Sequence, residues 1–330
     1  MKTVARRIIL VLVGVIALTR PGVAGIQHGS PVPTIGVLAS GSRVTHNSFV
    51  EGLERGLKDL GYIEGQNIVI ERRYADGKVE RLPDLAAELA RLNARVLFAG
   101  GDQAIRALRD VPGRRAPIVM VACDAIASGF VTNLARPGGD ITGVTCITAE
   151  VSAKRVELMR ELIPGLERIG VLVNPTDPSK RREIKHVEEA AQRLGIGMEV
   201  FHLTMASEVR PLFADVSRHG VTALVHLFDS GIFAKRADVA GAAVENRLAI
   251  MFSFKQFVEA GGLISFGPSL PAMWERAASH VDRILRGANA GDLPVEQPTR
   301  FELAINLKTA KALGLTIPPS LLLRVDQVIE

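Results

Sequence analysis

Short apolar runs alternate with amphipathic segments along most of the chain. Thr34–Ala39 is an apolar run typical of a strand that is buried on both faces. Apolar residues from Phe49 to Leu60 then recur at helical spacing, and Gly61 ends the predicted helix. The same alternation predicts four further strands, at Asn67–Glu71, Val96–Ala99, Ile118–Ala122 and Ile141–Thr145.

The pattern begins again after a helix that ends at Pro164. It predicts strands at Arg168–Val173, Met198–Leu203, Ala223–Leu227 and Ala249–Phe252, separated by helices. Strands and helices in strict alternation form parallel βαβ units with right-handed crossovers. Because 330 residues fit two domains of about 150 residues each, the predicted fold class is α/β, with two doubly wound parallel-sheet lobes.

The last third of the chain breaks this alternation, which predicts several crossings between the lobes. Strands are predicted at Leu263–Phe266 and Phe301–Asn306, with a long helix from Ser269 to Leu285 between them and a surface connection at Ala288–Pro298. We therefore expect a multi-crossover hinge and a ligand cleft between the lobes. The predicted first lobe is 33–146 plus 264–288, and the predicted second lobe is 147–263 plus 289–330.

Residues 1–24 have the pattern of a secretory signal peptide. Lys2, Arg6 and Arg7 precede the apolar run Ile8–Leu18, and small residues follow at Gly22-Val23-Ala24. An uncleaved anchor or a wrong start codon is the alternative, and Sec and twin-arginine export both stay open. Cleavage would place the mature protein in the periplasm or another extracytoplasmic space, with no membrane-spanning segment.

The basic charge of the chain belongs largely to this segment. The full chain has a formal charge of +5 and a pI of about 9.4. Removal of residues 1–24 lowers the basic count from 40 to 36 against 35 acidic residues, a net charge of +1. A chain so close to neutrality has no general attraction for phosphate backbones, so we expect no nucleic-acid partner.

Polar loops follow the predicted strands at the edge where parallel sheets bind ligands. The candidate ligand-binding residues in these loops are Ser40, Ser42, Gly101, Asp102, Asp124, Asn174, Thr176 and Asp229. Several have a structural alternative, because Ser40, Ser42, Asp102 and the neighbouring Asp177 stand where they would cap helices. If Asp102, Asp124 and Asp229 all face the cleft, its surplus negative charge favours a ligand with an ammonium group or many hydroxyls.

Catalytic and metal-binding patterns are missing from the sequence. It contains no G-x-S-x-G, no H-E-x-x-H, no P-loop and no G-x-G-x-x-G after the first strand, and its seven histidines are scattered. We therefore predict no enzyme activity, no metal and no cofactor. Cys123 and Cys146 follow neighbouring predicted strands and are a candidate disulfide, with two buried thiols as the alternative.

Several segments resemble the ABC-transporter substrate-binding protein family that includes the tryptophan-binding TrpX-like proteins. They include IGVLASGS at 35–42, PIVMVACDAIASGFVTNLARPGGDITGVT at 117–145, KRVELMRELIPGLERIGVLVNP at 154–175 and LPVEQPTRFELAINLKTAKALGLTIPPSLLLRVDQVIE at 293–330. The resemblance covers essentially the whole mature chain. It implies the type I periplasmic binding protein fold and no chemistry performed on the solute.

The resemblance further implies a receptor that captures a small polar solute by lobe closure and delivers it to an ABC permease driven by a cytoplasmic ATPase. It also implies that the loop residues given above contact the ligand, and that Ser253 does so as well. Relatives often carry a hydroxyl where Asp102 stands and an acidic or aromatic residue at Ser253-Phe254. Both departures argue against tryptophan or another simple amino acid, although amino-acid-like solutes remain candidates. A receptor that relays occupancy to a membrane sensor is the alternative function.

Overall fold

The computed structural model describes residues 32–147, 149–177 and 179–330. The predicted signal peptide, residues 1–24, lies outside the described residues. Twelve named strands, β1 to β12, span Thr34–Ala39, Val69–Tyr74, Val96–Gly100, Ile118–Cys123, Ile141–Cys146, Arg168–Val173, Gly197–His202, Ala223–His226, Ala249–Phe252, Ile264–Pro268, Phe301–Asn306 and Gln327–Ile329. The α-helices α1 to α12 span Arg43–Asp59, Leu82–Arg91, Asp102–Arg109, Ala149–Leu162, Lys180–Arg193, Val209–Arg218, Ser230–Ala234, Arg236–Glu245, Lys255–Glu259, Leu270–Leu285, Leu307–Ala312 and Pro319–Leu322.

The first lobe is built on a five-stranded parallel sheet in the order β2-β1-β3-β4-β5. Its three central strands are apolar on both faces because helices cover both, and every residue of β3 and β4 is buried. Helix α1 begins at a capping box, in which Ser42 Oγ accepts from the Thr45 N–H at 3.2 Å and Thr45 Oγ1 accepts from the Ser42 N–H at 2.9 Å.

The second lobe is built on a seven-stranded sheet in the order β12-β11-β10-β9-β8-β6-β7. All of its pairs are parallel except β10 with β11, where the chain reverses direction. The predicted fold class is therefore confirmed, since both lobes are α/β layers around predominantly parallel sheets. Among the described helices, none has the length and apolar character needed to cross a bilayer.

The crossings between the lobes differ from those expected. The strand Ile264–Pro268, predicted for the first lobe, pairs with β9 and β11 in the second sheet, and only helix α10 after it packs on the first lobe. The return was predicted near residue 290, but Leu293 still accepts a 2.7 Å hydrogen bond from Thr142 Oγ1 and the Glu296 N–H donates to Gly143 O at 2.9 Å. The boundary was wrong because lobe membership follows strand pairing, which local hydropathy does not encode.

The stretch Ala288–Pro298 is also more than a surface connection. Ala290, Leu293 and Val295 are buried against the first lobe, and the Val295 N–H donates to Leu134 O at 2.7 Å. Three chain segments consequently join the lobes: one after β5, one between β10 and α10, and one between Glu296 and β11. A hinge of three chain segments restricts the lobes to a few modes of relative motion.

Close packing of α1 against α10 anchors the second of these segments, which leads into α10, on the first lobe. Gly52 and Gly56 of α1 lie against backbone carbonyls of α10, and a Cβ added at Gly56 would lie 2.4 Å from the Glu275 oxygen. Alanine is the better helix former, but here it has no room.

We expect Gly56→Ala to lower the free energy of unfolding by about 1–3 kcal/mol, because overpacking outweighs the gain in helix propensity. Gly241→Ala in the exposed face of α8 is the matched control. Apart from its chain neighbours and the backbone of its own helix, no atom lies within 4 Å of a Cβ at Gly241, so this variant should gain up to about 1 kcal/mol. Urea unfolding followed by circular dichroism measures both, and equal effects of the two variants would contradict the packing argument.

Candidate functional site

Loops from both lobes enclose a cavity of about 220 Å³ in the cleft, here called the polar cavity. The first lobe contributes residues that follow β3 and β4, and the second contributes residues that follow β6 and β8. The lining residues are Asp102, Gln103, Arg106, Cys123, Asn174, Thr176, Asp177, Lys180, Phe228, Asp229 and Ser230. The cavity therefore lies at the carboxyl ends of parallel strands, where the sequence predicted a ligand.

Asp102 supplies a carboxyl group from the first lobe. It is the first residue of α3, and Gly101 before it turns the chain with a φ of +89°. Asp102 Oδ1 accepts from the Cys123 N–H at 3.2 Å, and Asp102 Oδ2 accepts from the Ser128 hydroxyl. Burial raises the pKa of Asp102 to about 6, although the hydrogen bond from Ser128 and the positive charge of Lys180 act in the opposite direction.

Asn174 and Asp229 supply a buried polar pair from the second lobe. Asn174 Nδ2 donates to Asp229 Oδ2 at 3.0 Å, and Asn174 Oδ1 accepts from the Thr176 hydroxyl at 2.8 Å. Asp229 also caps α7, since its Oδ1 accepts from the Ile232 N–H at 2.9 Å. Each side chain is thus held in one orientation by its neighbours, which positions polar atoms along the cavity wall.

Two cations line the same cavity. Lys180 is buried, with its Nζ 3.2 Å from Glu183 and 4.0 Å from Asp177. Burial alone would lower the pKa of Lys180, but the negative charges of Glu183 and Asp177 outweigh it and raise the pKa above its ordinary value. Arg106 of α3 lies on the opposite lobe, 3.6 Å from Asp177.

Direct contacts join the lobes around the polar cavity. Ser230 Oγ donates to Gln103 Oε1 at 2.9 Å, and Arg106 reaches Asp177 across the cleft. The rings of Phe49 and Phe233, one from each lobe, have centroids 5.8 Å apart. These contacts hold the two lobes against each other.

A second, much smaller space adjoins the polar cavity, and we call it the apolar compartment. It measures about 30 Å³ and shares Cys123, Phe228 and Ser230 with the polar cavity. Its other walls are Ser40, His46, Phe49, Gly100, Gly101, Val121, Ala122, Cys146, Phe233, Leu270 and Trp274. Burial lowers the pKa of His46 to about 4, so its ring is neutral near pH 7.

The predicted ligand residues are divided among these spaces. Four of them (Asp102, Asn174, Thr176 and Asp229) line the polar cavity, while Ser40 and Gly101 line the apolar compartment. The structure does not bring the remaining three to either space. Ser42 caps α1, and Ser253 Oγ donates to His226 O at 3.1 Å.

Asp124 lies elsewhere in the cleft region. It lines a separate cavity of about 610 Å³ beside the hinge segments at Ile147 and Gln297, and its Oδ1 accepts from the Ala127 N–H at 3.1 Å. The expected trio of Asp102, Asp124 and Asp229 is therefore wrong for the polar cavity, because Asp124 lies outside it. The polar cavity is lined instead by the three carboxyl groups of Asp102, Asp177 and Asp229 and by two cations, Arg106 and Lys180, so most of the negative charge is offset.

Sequence reasoning missed Gln103, Arg106 and Lys180. Lysine and arginine on helices are usually solvated, so neither position stood out. A usable signal was present, however. Arg106 lies four residues after Asp102 in α3, and residues at that spacing share one helix face.

The two cysteines lie directly opposite each other in the register of β4 and β5. Their Sγ atoms are 3.1 Å apart and both thiols are free, so the candidate disulfide is absent, since a covalent S–S bond measures about 2.05 Å. The thiol contact with Cys146 and burial raise the pKa of Cys123 well above its ordinary value. A protonated, buried thiol is a poor nucleophile.

Two α/β lobes that enclose a polar cavity, held together by a three-segment hinge, define a solute-binding protein. Residues 34–329 match the family described as ABC transporter substrate binding protein, and the chain belongs to this family. Its members bind solutes and are not enzymes.

Three relatives illustrate the similarity. The chain is 25% identical over 270 residues to a tyrosine-binding protein of Clostridioides difficile (strain R20291), covering 80% of this chain and 76% of that protein. It is 25% identical to the ABC domain from Streptococcus pneumoniae solved in complex with L-Trp, with a TM-score of 0.83, covering 91% of this chain and 100% of the other. A conserved domain protein from Vibrio cholerae has the same fold, with 24% identity, a TM-score of 0.83, and coverage of 90% and 100%.

The raised pKa of Asp102 predicts a pH-dependent stability. Between an unfolded pKa of 3.8 and a folded value of about 6 the native state binds the extra proton, so this carboxyl stabilises the fold at low pH and the contribution is lost as pH rises. Relative to Asp102→Asn, the wild type should lose about 2 kcal/mol of unfolding free energy between pH 4 and pH 7.5. Urea unfolding of both proteins at the two pH values measures the difference.

Ser128→Ala provides the companion variant. It removes a hydrogen bond that lowers the pKa of Asp102 but keeps the carboxyl. The folded pKa should therefore rise further, and the unfolding free energy lost between pH 4 and pH 7.5 should be larger than in the wild type. If wild type and Asp102→Asn change in parallel between the two pH values, the carboxyl is ionised in the native state and the assignment is wrong.

Proposed function

We propose that the protein is the extracytoplasmic receptor of an ABC importer, and that it captures an amino-acid-like zwitterion in the polar cavity and delivers it to a membrane permease. The observation that carries the proposal is the placement of carboxyl groups and cations from both lobes around one cavity of about 220 Å³. The absence of metal-ligand and nucleophile patterns in the sequence agrees with binding without chemistry.

Opposite charges at separate points of a cavity suit a ligand that carries both. In our proposal the ammonium group lies between Asp102 and Asp229, one from each lobe, and the carboxylate lies towards Lys180 and Arg106. A buried charge is costly unless it is paired and hydrogen-bonded, and charge-assisted hydrogen bonds are the strong ones. A ligand with only one of the two groups would leave one set of charges uncompensated.

Ligand contacts to both lobes supply a mechanism for capture. A solute that binds Asp102 on one lobe and Asp229 on the other stabilises the state in which the lobes meet, and so shifts an open–closed equilibrium. The contacts of Gln103 with Ser230 and of Arg106 with Asp177 would break on opening. The closed form would then be the one that the permease recognises.

Two further observations support this role. Residues 1–24 have the sequence pattern of an export signal, and the family is that of ABC transporter substrate-binding proteins. One relative is named a tyrosine-binding protein and another was solved in complex with L-Trp, which supports amino acids as the ligand class, even though the family resemblance implies a hydroxyl where Asp102 stands.

We expect one or more of the standard L-amino acids to raise the thermal unfolding midpoint, because a ligand that binds only the native state stabilises it. The best ligand is then compared by calorimetry with its amine-free and its carboxylate-free analogues. Each analogue should bind at least about 100-fold more weakly. Equal affinity of the amine-free analogue would remove Asp102 and Asp229 as ammonium partners, and a screen with no hit would overturn the ligand class.

Asp229→Asn tests the site itself. The amide oxygen can still cap α7, but the amide nitrogen would face the Asn174 Nδ2 that now donates to Asp229 Oδ2. We therefore expect a stability loss of about 1–3 kcal/mol with the protein still folded, and loss of the charge should weaken ligand binding about 10- to 100-fold. Asp238→Asn on the exposed face of α8 is the control and should bind as wild type. In cells lacking the native protein, wild type and Asp238→Asn should restore uptake of labelled ligand, and Asp229→Asn should not. Uptake that is independent of the protein would favour the sensor alternative.

A further inference from the structure

The apolar compartment beside the polar cavity is almost filled by the protein's own side chains. The apolar compartment opens off the polar cavity, with which it shares Cys123, Phe228 and Ser230, but only about 30 Å³ of it is free. One water molecule takes about the same volume in the liquid. A ligand anchored in the polar cavity therefore meets a wall immediately behind it.

Trp274 of α10 is the largest side chain in that wall. Its side chain is 2% exposed and packs against Phe98 and Phe49, with ring centroids 4.8 Å and 6.0 Å away. A Cβ placed on Gly100 would lie 2.2 Å from the indole, so the ring lies directly against the strand backbone there. Because α10 packs tightly on α1, the indole cannot withdraw without disturbing the core of the first lobe.

Ser40 adds a polar feature to this wall. It is 1% exposed, and its hydroxyl has no hydrogen-bond partner among the described residues. Buried hydroxyl groups are normally paired, so an unpaired one at the wall of a ligand cavity indicates a partner supplied by the ligand or by water. The remaining volume is large enough for a single hydroxyl or methyl group.

We propose that the apolar compartment receives the side chain of the ligand and that Trp274 restricts this side chain to the size of hydrogen, methyl or hydroxymethyl. The proposal rests on the function proposed above and specifies the substrate class: glycine, alanine and serine, with serine favoured by the hydroxyl of Ser40. In this proposal the compartment is too small for the aromatic side chains of tyrosine and tryptophan, the amino acids that the names of two relatives give. Trp274 is thus the residue that determines specificity.

Calorimetry with glycine, L-alanine, L-serine, L-tyrosine and L-tryptophan tests the proposal on the wild type. The three small amino acids should bind at least about 100-fold more tightly than the two aromatic ones, since a closed pocket rejects each added group. Tight binding of tyrosine or tryptophan would overturn the size restriction and leave the proposed function intact. Binding of none of the five would overturn the size restriction, and a screen with no amino-acid hit would overturn the proposed function with it.

Three variants separate the roles of the wall residues. Trp274→Ala should reduce the preference for serine over phenylalanine at least about tenfold, and Trp274→Phe should do so in part if the alanine variant does not fold. Ser40→Ala should weaken serine about tenfold while leaving alanine unchanged. Phe213→Ala is the control, because Phe213 is a fully buried aromatic residue that lines none of these cavities. Phe213→Ala should keep the wild-type preference for serine over phenylalanine. If it loses this preference as Trp274→Ala does, the role assigned to Trp274 is wrong.

Discussion

The close contact between α1 and α10 is the constraint on which the two-lobed arrangement depends. Helix α10 follows directly from β10, a strand inside the second sheet, yet it packs on the first lobe. Gly52 and Gly56 permit this packing by allowing their helix to touch the backbone of α10. The hinge geometry and the position of Trp274 at the cleft both follow from this one contact.

The charged groups that line the polar cavity compensate one another through ion pairs. Lys180 lies between Glu183 and Asp177, and Asp177 in turn lies near Arg106 of the other lobe. No one of these charges could be buried alone at reasonable cost. A network that spans both lobes therefore links the electrostatics of the site to the position of the lobes, so that opening the cleft would also change how each charge is compensated.

The alternation of apolar strands and amphipathic helices was enough to predict both parallel sheets and the edge at which their loops meet. Asp102 and Asp229 could be predicted for the cavity because they follow buried strands. The placement of Ile264–Pro268 could not, since pairing with β9 and β11 depends on residues distant in sequence. Lys180 and Trp274 were missed as site residues for a related reason, because burial of a helical side chain is decided by what packs against it.

Trp274 is the only tryptophan in the 330 residues, and it stands at the back of the cleft. The intrinsic indole fluorescence of the protein therefore originates from one place, the wall that a captured solute would meet. Emission from such a residue depends on local polarity and on neighbouring quenchers, and Cys123 and Cys146 line the same compartment. The molecule thus carries a built-in optical reporter of cleft occupancy, with no engineered label needed.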